Sequence, residues 1–111
     1  MRTIIVTTLA LLTVSLTHAL APKNGTEPTY CEQVVALHGF ISRAQFTCNY
    51  RYYAKSLISD AAKCTKHELG EKYSMEVIKF GMSQFDERRA EVGKEKLCKE
   101  VLKDFPEYVK K

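Results

Sequence analysis

Cys31, Cys48, Cys64 and Cys98 are the residues with the most chemistry to offer, and their spacing decides which chemistry it is. Zinc ligands usually arrive as close pairs, two cysteines a few residues apart. No two of these four lie that near each other, and neither His38 nor His67 is placed to complete a metal knuckle. No metal or other cofactor is expected. An even number of widely spaced cysteines in a short chain reads instead as a disulfide framework.

Cysteines held in disulfides supply no thiolate, and the thiolate is the nucleophile. The sequence contains neither a Gly-x-Ser-x-Gly elbow nor a His-Glu-x-x-His zinc helix. Asp86, Glu87 and Glu91 accompany Arg88 and Arg89 at intervals that suit ion pairs on a helix surface. A glycosidase pair would need a cleft and one carboxyl of raised pKa, and nothing in this run suggests either. No catalytic residue is assigned, and the chain reads as a non-enzyme.

Two features point to binding. In Tyr50-Arg51-Tyr52-Tyr53, rings stand beside a guanidinium, a combination that can hold an anion, a sugar or a partner side chain. At helical spacing Tyr50 and Tyr53 turn to the core with hydroxyls reaching water, and Tyr52 is presented outward. Arg51 and Tyr52 are therefore the candidate contacts for another exported protein. The alternative is a carrier, with Leu57, Phe80, Met82 and Phe85 lining a cavity for a small apolar ligand; methionine suits adaptable surfaces. The formal charge of +4 is spread with alternating sign, and even Lys94-Glu95-Lys96 has an acid at its centre. A nucleic-acid binder would show a concentrated basic stripe.

The elements that position these residues begin after a leader. Arg2 precedes an apolar run from Ile4 to Leu16, and small residues follow at Thr17-His18-Ala19. This is the layout of a secretory signal peptide over residues 1–19, cut after Ala19, which places the chain in a secreted or periplasmic setting. The run is shorter than the roughly 20 residues a membrane-spanning helix needs, so no stable membrane anchor is expected. Residues 20–29, with two prolines and a glycine, read as a flexible lead-in, and residues 30–111 as the helical domain.

Val34, Leu37, Ile41, Ala44 and Cys48 step by three and four, predicting a first helix in which Gly39 leaves room for a break near His38–Gly39. A second stripe is Tyr50, Tyr53, Leu57, Ala61 and Cys64, reached through a turn at Thr47-Cys48-Asn49. The third helix is predicted from about Leu69 to Gly93, with apolar residues over more than half its circumference, as expected of a central helix with several neighbours. Gly81 on it would admit close approach by another helix. A fourth, with Cys98, Val101, Leu102 and Phe105 on one face, should stop before Pro106. No strand pattern is apparent. The fold class is all-α, a small disulfide-stapled bundle of about four helices.

Geometry then ranks the disulfides. If the first two helices form an antiparallel hairpin, Cys31 and Cys64 stand side by side, and Cys48 at the turn can meet Cys98. Cys64–Cys98 would have to bridge the two ends of the third helix, about 30 Å apart, whereas bonded Cα atoms lie within about 7 Å. Cys31–Cys64 and Cys48–Cys98 are predicted.

Overall fold

The structure, a computed structural model, describes residues 27–111. The leader, its cleavage site and most of the lead-in lie outside the described residues. The domain is all-α: α1 (Tyr30–Cys48), α2 (Lys55–Cys64), α3 (Glu71–Val92) and α4 (Lys94–Asp104). A π-helical segment, Thr65–Leu69, continues α2. Two short strands, β1 (Tyr52–Tyr53) and β2 (Val109–Lys110), pair antiparallel.

Thr29 caps α1 in a reciprocal box. Its Oγ1 accepts from the Glu32 backbone N–H at 3.1 Å, and its own N–H donates to Glu32 Oε1 at 2.8 Å. The remaining Glu32 oxygen accepts from the Tyr73 hydroxyl at 2.6 Å, so this buried carboxylate joins the start of α1 to α3. At the other end Asn49 takes the left-handed conformation (φ 60°), and its N–H returns to the Gln45 carbonyl at 2.8 Å. That turn falls where the sequence places it.

No break occurs at His38–Gly39; α1 is continuous. Gly39 serves the packing instead. α1 and α3 make the largest interface of the fold, and each brings a glycine to it. A Cβ at Gly39 would run into the Ile78 carbonyl, and one at Gly81 into the Ala36 carbonyl and the Phe40 N. The backbones touch directly, and the buried line of α3 is Ser74, Val77, Gly81 and Phe85. This stripe is narrower than the sequence predicts, because Met75 is exposed and Tyr73, Ile78, Phe80 and Met82 are half-buried. Two buried clusters flank the crossing. One gathers Ile41, Ala44, Tyr50, Leu57, Phe85, Leu97, Val101 and Val109; the other, Val35, Ala36, Ala61, Cys64, Leu69 and Val77.

The disulfides are Cys31–Cys64, closing the α1–α2 hairpin, and Cys48–Cys98, tying the end of α1 to α4. Both are the pairs that hairpin geometry selects. Two formed disulfides, with no free cysteine among the described residues, fit an oxidising environment. No described helix is long and apolar enough to cross a membrane.

The second helix is also shorter than its apolar spacing predicts. Tyr50 to Ala54 do not open the second helix, which begins at Lys55. This stretch is extended and pairs with the chain end: Arg51 N–H donates to the Lys110 carbonyl at 3.0 Å and Ala54 N–H to the Tyr108 carbonyl at 2.8 Å. Pro106 does follow the end of α4. The turn after it, closed by Tyr108 N–H to the Phe105 carbonyl at 3.0 Å, brings β2 back to β1.

Candidate functional site: a basic aromatic ribbon

The β1–β2 register sets Tyr52 opposite Lys110 and Tyr53 opposite Val109. Side chains alternate across a strand, so one pair turns inward and the other outward. Val109 is buried and Tyr53 half-buried, while Tyr52 is 44% exposed. Lys110 Nζ stands 5.3 Å from the centre of the Tyr52 ring, within reach of its negative face. Arg51, Lys55 and Lys111 are exposed around this pair. Neither residues 50–59 nor residues 108–111 contain an acid, so pairing merges two short basic segments into one surface.

The inward side anchors the ribbon. Tyr50 is buried and its hydroxyl donates to the Cys98 carbonyl; burial pushes its pKa up to about 12, so it stays a neutral donor. The Tyr53 hydroxyl lies 2.5 Å from His38 Nδ1 and 3.1 Å from Ser42 Oγ, fixing β1 to the middle of α1. Both hydroxyls therefore meet protein partners rather than water as the sequence suggests.

Burial lowers the His38 pKa below its ordinary value. The folded protein thus binds a proton at this site less readily than the unfolded chain, and the stability it contributes is complete above the unfolded value near 6.5 and lost as pH falls toward the depressed one. The Tm is expected to fall between about pH 7.5 and about pH 5.5. His38→Asn should flatten that slope; an unchanged slope in the variant would assign the acid sensitivity elsewhere.

Arg51 and Tyr52, singled out in the sequence, are thus brought together on the exposed ribbon. The four apolar candidates are not brought together in the same way. Leu57 and Phe85 belong to one cluster, with Phe85 fully buried and edge-on to Phe40 at 5.6 Å between ring centres. Phe80 packs against the other cluster, and Met82 is half-buried. Lys110 and Lys111 carry no local sequence signal for the ribbon, because their role depends on pairing with residues far away in the chain. Glu32 has a signal that the apolar periodicity overshadows: Thr29-Tyr30-Cys31-Glu32 has the spacing of a capping box.

A second surface feature lies at the C-terminal end of α1. Arg43 donates to Asp86 through Nε at 3.1 Å and Nη2 at 2.9 Å, a bidentate pair that holds the Asp86 carboxyl below its ordinary range. The sequence pattern puts Asp86 with Arg88 and Arg89 on one helix; its ion-pair partner is on α1 instead. Arg88 pairs with Glu91 and reaches Glu100 of α4. Beside Arg43 and Asp86 opens a recess of about 730 Å³ lined by Phe46, Thr47, Arg89, Ala90, Gly93 and Lys94.

Among the described residues no group of His, Cys, Asp and Glu is arranged to hold a metal ion. No family model, curated protein or solved structure matches the chain.

Proposed function

We propose that this chain is an exported, non-catalytic binding protein, secreted or periplasmic, whose partner is another exported protein held at the β1–β2 ribbon. The observation that carries the reading is the outward pairing of Tyr52 with Lys110 beside Arg51, Lys55 and Lys111 on a surface segment free of acids. Tyrosine and arginine suit protein interfaces: the tyrosine ring offers large contact area with few torsions to freeze, and the guanidinium offers a planar fork of hydrogen-bond donors. The ribbon is also stiffly supported by the Tyr50 and Tyr53 hydroxyls, which limits the entropy lost when a partner docks. Disulfide closure supports service in an oxidising compartment outside the cytoplasm.

The test is site-specific photo-cross-linking in the native host. A benzoylphenylalanine in place of Tyr52 should give one discrete adduct with an exported protein, and the same group in place of Lys79, exposed on α3, should not. Arg51→Glu with Lys110→Glu should remove the adduct. Equal adducts from both positions, or none from Tyr52, would overturn the reading.

A further inference from the structure

We infer that the recess between the end of α1 and the α3–α4 corner is a second docking site, one that takes an acidic segment of a protein partner carrying an apolar side chain. The inference shares the protein-binding reading but does not depend on the ribbon. Phe46 is 85% exposed, the most exposed of the large apolar side chains among the described residues, and it stands at the recess rather than alone on a helix face. An aromatic ring left in water is costly to keep there, and one bordering a concavity gives a partner side chain something to cover.

Small residues make the space. Thr47, Ala90 and Gly93 line it, and a Cβ built at Gly93 would meet nothing within 4 Å. Gly93 has φ 90°, which an L side chain rarely adopts, so the corner is kept by a residue that cannot readily be enlarged.

Charge selects the occupant. Four charged residues line the recess: Arg43, Asp86, Arg89 and Lys94. Arg43 and Asp86 neutralise each other. Neither Arg89 nor Lys94 makes a close ion pair among the described residues, and although the Arg89 charge also acts on Asp86, three cations against one carboxylate leave the recess with cationic character beside an apolar ring. The complementary ligand therefore joins carboxylates to an apolar group. A small carboxylate would gain little, since exposed ion pairs are weak and screened by salt. An open recess of this size instead suits a peptide segment that makes the ionic and apolar contacts together.

The probe is a fluorescein-labelled peptide, Asp-Glu-Leu-Phe-Glu-Asp, titrated with the folded, oxidised protein and read by anisotropy. Saturable binding is expected, weakened about tenfold or more by Arg89→Glu with Lys94→Glu, and by a similar factor by Phe46→Ala. Replacing the central Leu-Phe of the peptide by Ser-Ser should weaken binding comparably. Arg51→Glu with Lys110→Glu should leave it intact, which separates this site from the ribbon. All substituted positions are on the surface, and circular dichroism melts verify that the variants fold. Absence of binding, binding that ignores the Phe46 and Arg89/Lys94 substitutions, or equal binding of the Ser-Ser peptide would overturn the inference.

Discussion

Gly81→Ala is expected to lower the Tm of the domain by more than about 10 °C, an effect out of proportion to one added methyl group. On an exposed helix face the same change would stabilise by about 1 kcal/mol, because alanine is the better helix former. Here the new Cβ would meet backbone atoms of α1: the Ala36 carbonyl, with its carbon 2.9 Å away, and the Phe40 N at 2.9 Å. A crowded side chain can rotate aside, but a helix backbone can only move as a whole. Separating α1 from α3 would in turn loosen the packing of Val35, Val77, Ile41 and Phe85 on both sides of the crossing. Overpacking of this kind typically costs about 1–3 kcal/mol and more where nothing yields. Gly39→Ala should behave alike, since its Cβ would strike the Ile78 carbonyl. Thermal melts beside Lys79→Ala, an exposed control, check this; a Gly81→Ala melt within about 2 °C of the parent would refute the close crossing.

Both glycines are visible in the sequence, yet only one is legible for what it does. Gly81 sits between Phe80 and Met82 in a strongly apolar helix, where a missing side chain suggests contact. Gly39 follows His38 and reads as a weak point, because local propensity weighs only the helix that contains it. Its purpose lies in Ile78, on another helix. The same limit explains Tyr50 to Ala54. Tyr50, Tyr53 and Leu57 have helical spacing, and periodicity assigns them to one stripe. The competing structure is a ribbon with Val109 and Lys110, more than fifty residues later, and no local pattern can announce that partner. Strands of two residues are also too short to display alternation. The disulfides were more legible, since helix length and the reach of a cystine leave few arrangements. Of the candidate sites, Tyr52 and Arg51 stood out because adjacent aromatic and arginine positions cannot all face inward. The recess was hidden: Phe46, Arg89 and Lys94 come from three helices and share no motif.

Removing the Cys48–Cys98 disulfide is the change expected to harm the ribbon most. Cys48 and Cys98 are separated by 50 positions, against 33 for Cys31 and Cys64. Closing loops of these lengths is worth about 4 kcal/mol each on the chain-entropy account. That is a large share of the roughly 5–15 kcal/mol that holds a domain together. The two losses should nevertheless differ in kind. Without Cys31–Cys64, the start of α1 is still held by the Thr29–Glu32 box and the Tyr73 hydroxyl. Without Cys48–Cys98, α4 is held to the core by Leu97 and Val101, with Leu102 and Phe105 packed against the same cluster, and β2 is the next element after α4. Tyr50, which leads into β1, bonds to the carbonyl of Cys98 itself, so β1 has one anchor at this disulfide beside the one that the Tyr53 hydroxyl makes to α1. Cys48→Ala with Cys98→Ala should therefore raise amide exchange at Arg51, Ala54 and Val109 well before the α1–α3 crossing opens. Cys31→Ala with Cys64→Ala should leave those amides comparatively protected while lowering the melting temperature. Hydrogen exchange on the two double variants decides the matter: equal deprotection of the ribbon in both would show that it is held by the core as a whole and not by this disulfide. Faster exchange confined to the Cys48/Cys98 variant, accompanied by loss of the Tyr52 adduct, would make the oxidised Cys48–Cys98 bond a requirement for binding as well as for stability.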